Sequence, residues 1–219
     1  MPIDRRIKIA IVDSGIAAGH IHVGAVAGGV SFAGEEDPAD RLGHGTAVAG
    51  AIRQWAPEAD LYAVKVFDRR LSATIETLLR ALAWCRDAAM DIVNLSLGTA
   101  NPAHAGRFLE LVGPHPLVVS PVSLLPGSLP DAVGVEADAE CPRDAFHYTD
   151  GIFYASPYPR PIRGVPMERN LSGVSFAVAN VTGVAARSLV TTREALIRSV
   201  NHEAGTTIHD PLSDARRPL

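Results

Sequence analysis

Short apolar runs alternate with longer segments of helical period along this chain. Ile7-Lys8-Ile9-Ala10-Ile11-Val12 is a β-branched run, the pattern of a strand buried on both faces, and it stops at Asp13-Ser14-Gly15. Residues 45–55 (GTAVAGAIRQW) predict a helix of small residues that can pack closely on a sheet. Leu61 to Phe67 (LYAVKVF) predicts a second strand. Between Thr74 and Ala89 the apolar positions Ile75, Leu78, Leu79, Leu82 and Cys85 fall on one helical stripe. Asp91 to Leu97 (DIVNLSL) predicts a third strand, closed by Gly98; a helix over Ala103–Leu111 and a strand at Leu117–Val119 follow. Strands that alternate with helices in this way imply an α/β fold, a mostly parallel sheet with helices on both faces.

From Ser120 to Pro166 the pattern weakens into proline-rich loops, with strand fragments at Ala132–Glu136 and Ile152–Tyr154. Such loops often carry substrate contacts. Ser175 to Val190 (SFAVANVTGVAARSLV) predicts a long helix of small residues, and Thr192–Val200 another with Thr192 as its N-cap. Residues 1–203 read as a single domain and 204–219 as a C-terminal tail.

Composition narrows the picture. With 47% hydrophobic and 20% charged residues in 219, the chain can bury a large core and is not intrinsically disordered. A net charge of −4 argues against a partner that is nucleic acid or an anionic membrane, and no run of 18 apolar residues predicts a transmembrane helix. Two cysteines build neither a disulfide framework nor a multi-cysteine metal site, and Cys85, inside a helical stripe, is expected to be a buried, inert thiol. No apolar signal-peptide core follows the N-terminal charges, so the expected location is the cytoplasm.

Three polar residues stand out by type and placement. Asp13 ends the first buried strand, and ligands of open α/β sheets bind outside the carboxyl ends of strands. His44, in Gly43-His44-Gly45-Thr46, opens a helix, and Ser175, in Gly173-Val174-Ser175-Phe176, opens another. Singly, each reads as a cap or surface residue. Together they supply a nucleophile, a base and a carboxylate that holds the base's tautomer. A serine at a helix N-terminus also has backbone N–H groups nearby for a developing oxyanion.

These segments resemble the subtilisin-like serine peptidases, the subtilases. IAIVDSGI is similar to the family's Asp segment and GHGTAVAGAI to its His segment, with Ala47 where the pattern HGTHVAG has a second histidine. DIVNLSLG resembles the strand that ends in the substrate-pocket wall, and GVSFAVANVTGVAA the nucleophile segment. The resemblance implies a subtilisin-like three-layer sandwich and a peptide or protein substrate. It implies that Ser175 is the nucleophile, His44 the base and Asp13 its orienting acid. It places Ser96-Leu97-Gly98 in one pocket wall and Leu71-Ser72-Ala73 where an edge strand binds extended substrate.

The chain departs from the family pattern in four places. Val118–Gly127 lacks the asparagine that donates to the oxyanion, and Ser123 is the nearest hydroxyl by position. Gln54–Asp60 is short, so the calcium site often held there is expected to be absent; no metal and no cofactor is implied. No pro-segment precedes the Asp segment, so the chain is expected to fold without one. The nucleophile segment has Gly173-Val174-Ser175 for Gly-Thr-Ser.

His20 and His22 read as surface histidines without a third metal ligand. Glu35, Glu36, Asp37 and Asp40 read as a solvated loop or as a lip that favours basic substrate residues. Leu124, Leu125 and the proline-rich stretch read as a cover for the groove or a contact for a partner protein. The leading expectation is a serine endopeptidase that cuts a peptide or precursor, with leader removal as its narrower form. The alternatives are a catalytically silent binding module and an acyl transferase that hands the acyl group to an amine.

Overall fold

The computed structural model describes residues 5–34 and 36–203; Glu35 and the 204–219 tail lie outside the described residues. Eight strands form one sheet: β1 (Lys8–Asp13), β2 (Gly28–Ser31), β3 (Asp60–Lys65), β4 (Ile92–Leu95), β5 (Leu117–Pro121), β6 (Val133–Ala137), β7 (Phe146–Thr149) and β8 (Ile152–Ala155). Their spatial order is β2-β3-β1-β4-β5-β6-β8-β7, and every pairing is parallel except β7 with β8 at one edge. Among the described residues five α-helices accompany them: α1 (His44–Trp55), α2 (Ile75–Asp87), α3 (Ala105–Leu109), α4 (Val174–Arg187) and α5 (Arg193–Glu203).

The alternation along β1 divides the core into two layers. Ile9 and Ile11 pack with α1, α4 and α5 on one face, through residues such as Ile52, Phe176 and Leu196. Ala10 and Val12 pack with α2 and α3 on the other, through Leu78, Leu82, Cys85 and Phe108. This is the α/β fold with helices on both faces that the sequence predicts. Burial makes Cys85 inert: it is fully enclosed, and its thiol is pushed up to about 12.

Small residues let α1 and α4 approach each other closely. A Cβ on Gly183 would meet the Trp55 side chain at 3.0 Å and the Ile52 carbonyl at 3.1 Å. The expected Thr192 cap forms, its hydroxyl accepting the Ala195 N–H, and Thr74 caps α2 in the same way by accepting the Thr77 N–H.

Two strands differ from expectation. β2 contains Gly28 and Gly29, whose composition reads as loop; a Cβ on Gly29 would meet the Ala63 carbonyl oxygen at 2.5 Å, so close pairing with β3 requires glycine. β7 forms a hairpin with β8 across Asp150-Gly151, inside the stretch read as loops. Both loop residues have positive φ, 52° and 86°, as a two-residue type I′ connection requires.

Candidate active site

The strand ends on the carboxyl side of the sheet gather the chemistry. β1 delivers Asp13, fully buried, and the next strand's Lys65 lies in register with it. One Asp13 oxygen accepts the Ser14 N–H at 2.7 Å. His44 Nδ1 lies 2.8 Å from Asp13 Oδ1 and 2.9 Å from Oδ2. An ionised carboxylate can only accept, so Nδ1 carries the proton and Nε2 is free to act as a base.

His44 is aimed by the first turn of α1. The helix starts after Gly43 in the left-handed conformation (φ 83°) with no side chain from that residue to cap it. Asp40 does the capping from four residues upstream of His44. Its Oδ1 accepts from the Ser14 hydroxyl at 2.8 Å and from the Leu42 and Gly43 N–H groups at 2.9 Å each. Its Oδ2 accepts from the Thr46 N–H at 2.9 Å and the Thr46 hydroxyl at 2.6 Å. Ser14 Oγ in turn accepts the Gly45 N–H at 3.0 Å, so a single hydroxyl joins the end of β1 to the start of α1. Buried Lys65 fixes the approach to Asp40 by donating to the Ala39 carbonyl at 3.0 Å.

Asp40 is half-buried and both its oxygens are taken up by this cap, a role the lip reading did not include. Of the other acids in that run, Asp37 accepts the Ala39 N–H, Glu36 is exposed, and Glu35 lies outside the described residues. Sequence reasoning missed the role of Asp40, although an aspartate shortly before a predicted helix is a capping signal.

Burial and the neighbouring charges set the state of His44. Burial acts to lower the His44 pKa, but the Asp13 hydrogen bond and the charges of Asp13 and Asp40 outweigh it and hold the pKa above its ordinary 6.5. Burial likewise acts to raise the Asp40 carboxyl, and the hydrogen bonds from Thr46, Gly43 and Leu42 hold it below 3.8.

Ser175 sits in the first turn of α4, and the ring of Phe176, the next residue, lies 5.9 Å from the His44 ring between centroids. Gly173 (φ 146°) turns the chain into the helix. The first-turn N–H groups of α4, including that of Ser175, have no acceptor within the helix. A polar chain that sequence reading missed anchors this turn. Thr182 Oγ1 donates to buried Asn94 Oδ1 at 3.1 Å, Asn94 Nδ2 donates to Ser96 Oγ at 3.1 Å, and Ser96 Oγ donates to the Ser175 carbonyl at 3.3 Å. Among the described residues no hydrogen bond joins His44 to Ser175 Oγ, and such contacts often tighten only around substrate.

The remaining expected residues divide. Leu71-Ser72-Ala73 and Leu97-Gly98 line one cleft of about 410 Å³, so the two expected walls face each other. Leu71–Ala73 lie in a loop between β3 and α2, outside the eight strands, so the expected edge strand is not formed there. Ser96 turns its hydroxyl toward Ser175. Ser123 lies exposed in the turn after β5, while buried Ser120 donates to the Leu97 carbonyl at 3.4 Å. Leu125 is buried and pairs with Thr99 through its backbone, so it serves the cleft wall and offers little surface to a partner. His20 and His22 meet edge to face at 5.4 Å. Among the described residues no helix is long and apolar enough to cross a membrane.

Comparison with known proteins adds a second line of observation. The model of the subtilase family matches residues 4–132, which include Asp13 and His44 and end before Ser175. Subtilisin DY of Bacillus licheniformis is 35% identical over 101 residues, 42% of this chain and 37% of that protein. The minor extracellular protease Epr of Bacillus subtilis is 41% identical over 107 residues, 44% of this chain and 16% of that protein. The matches thus span well under half the length of these relatives. A cold-adapted subtilisin-like serine proteinase of known structure superposes with a TM-score of 0.68 at 21% identity, covering 90% of this chain and 81% of that one.

These relatives correct the expected cytoplasmic location. One of them, Epr, is an extracellular protease by name. The expectation rested on a missing signal-like run, and such an absence does not decide location.

Proposed function

The chain belongs to the subtilase family, and from that premise we propose that it is a serine endopeptidase working through Asp13, His44 and Ser175. The observation that carries this reading is the buried Asp13 carboxylate bonded to His44 Nδ1 at 2.8 Å, with Ser175 opening the helix beside the ring. Ser175 Oγ attacks the scissile carbonyl while His44 Nε2 takes its proton. The cationic ring is stabilised by Asp13 and Asp40. His44 then gives the proton to the leaving amine, an ester on Ser175 remains, and water activated by the same ring releases the acid.

The Ser175 N–H is one donor to the oxyanion. We assign the second place to Ser123, whose hydroxyl is exposed in the turn after β5. Loss of such a donor costs about 10²–10³ in rate, so a serine in the asparagine's place predicts a slow enzyme rather than a dead one. The cleft of Leu71–Ala73 and Leu97–Thr99 supports binding of extended chain on one side of Ser175. The narrower reading is selective cutting of a precursor, favoured by a strongly charged cavity beside His44.

The test is digestion of reduced, unfolded casein with mass-spectrometric detection of new termini. The wild type is expected to create them, and Ser175→Ala to lower the rate by about 10³-fold or more. Equal cutting by both would overturn the proposal. Products carrying an added amine, when one is supplied, would assign acyl transfer instead of hydrolysis.

A further inference from the structure

Two cavities share no lining residue: one includes Leu97 and Gly98, just after the Ser96 that donates to the Ser175 carbonyl, and the other includes Gly43 and Thr46, which bracket His44 in the chain. The first is the cleft of Leu71–Ala73 and Leu97–Thr99. It belongs to the α2 face of the sheet, since Phe67 and Leu78, which line it, are part of that core. The second, about 820 Å³, is built around the starts of α1 and α4, which pack on the opposite face. Gly43 and Ala47 flank it on one side of His44, and Leu171 lies four residues ahead of Ser175. A substrate chain laid across Ser175 would run from the first cavity toward the second. If the first holds residues before the scissile bond, the second receives those after it.

The second cavity has a distinct chemistry. Arg160 and Arg169 line it, and among the described residues of its lining Asp40 is the one carboxylate, its oxygens already accepting five hydrogen bonds. Arg160 is held in place through its bond to the His22 carbonyl at 3.1 Å. Burial, then the charge of Arg160 and the nearby His20, hold the His22 pKa below 6.5, so His22 adds no charge at neutral pH. Between the cations lie apolar groups. Leu42, Ile162 and Leu171 are 38%, 45% and 52% exposed and line the same cavity.

We propose that this cavity binds the substrate segment downstream of the scissile bond and selects an acidic side chain flanked by aliphatic ones. The inference rests on the proteolytic reading and adds the substrate class. Guanidinium groups pair with carboxylates in two-pronged geometry, and a concave wall lowers the solvent screening that weakens exposed pairs. The preference is opposite in sign to that of the acidic lip, because the acid that faces this region is consumed by the α1 cap.

A peptide library derived from a whole proteome tests it, with new termini read by mass spectrometry. Aspartate and glutamate are expected to be enriched about fivefold at one or more of the first four positions after the cut, with lysine depleted. Arg169→Glu, at an exposed position, is expected to erase or reverse the enrichment, and Arg169→Lys to keep most of it. A flat profile, or enrichment of basic residues, from a cleaving wild type would overturn the inference and leave the proteolytic reading intact.

If no peptide is cut, labelling of Ser175 by a small fluorophosphonate judges the proteolytic reading separately. The cavity is then read by fluorescence anisotropy on Ser175→Ala with fluorescein-labelled Gly-Glu-Leu-Glu-Leu and its lysine counterpart. Tighter, salt-sensitive binding of the acidic peptide, by about fivefold, supports the proposal. Equal binding, or none, overturns it.

Discussion

Asp13→Asn is expected to leave a folded chain whose kcat/KM is lower by about 10⁴-fold. The asparagine matches the aspartate in shape, and its oxygen can still accept the Ser14 N–H that Asp13 accepts at 2.7 Å. Turned that way, its amide presents N–H groups to His44 Nδ1, which now contacts both carboxylate oxygens. A donor there makes Nδ1 an acceptor and moves the ring proton to Nε2, where it blocks acceptance of the Ser175 proton. The pH profile gives the second signature. Burial acts to lower the His44 pKa, while Asp13, by hydrogen bond and charge, and Asp40, by charge, raise it above 6.5. The base works only when neutral, so wild-type activity falls as pH drops through a value above 6.5. Without the Asp13 charge that limb moves to lower pH. A loss below about tenfold, or an unmoved limb, would deny Asp13 this role.

The second large effect is expected at a residue with no functional group. Gly45 follows His44, and an added Cβ would fall on the Gly15 carbonyl oxygen and lie 3.2 Å from Asp13 Oδ1. The first neighbour is backbone at the end of β1, so neither side can swing away. Gly45→Ala must push α1 off the strand, stretching the Ser14–Gly45 bond and the His44–Asp13 pair together. A loss of about 3 kcal/mol in stability is expected, together with a drop in kcat/KM larger than any change in KM. Urea denaturation and steady-state kinetics read the two effects. The control is Gly106→Ala, since nothing lies within 4 Å of a Cβ added at Gly106. Equal behaviour of the two variants would show that the close approach is unimportant.

Much of this arrangement was legible in the chain. Strand β1, the stripe of α2 and the small residues of α1 and α4 follow from periodicity, because each must fill a buried face of one sheet. Asp13 and His44 were legible because strand ends and helix starts are where side chains converge. Two strands were obscured for different reasons. The glycines of β2 hide a pairing that only glycine permits. The prolines around β7 and β8 mask a hairpin whose Asp150-Gly151 turn was itself a signal.

The connections around the site were not legible, because they depend on distance in space. Ser14, Asp40 and Thr46 read as loop and helix polar residues, yet they join β1 to α1. Thr182 and Asn94 are 88 positions apart and meet only when α4 lies across β4. The cationic cavity draws on segments far apart in the chain, around His22, Arg160 and Arg169, and the His22 pKa is lowered by burial first and by the charge of Arg160 next.

The proposed chemistry requires a serine activated by this particular histidine. It is tested most directly by intact-protein mass spectrometry after exposure to a fluorophosphonate, with Ser175→Ala and His44→Ala alongside. The expected result is one adduct on the wild type, mapped to Ser175, absent from Ser175→Ala and slowed by about 10³-fold or more in His44→Ala. No adduct on folded wild type, or an adduct that forms as fast without His44, would contradict this chemistry.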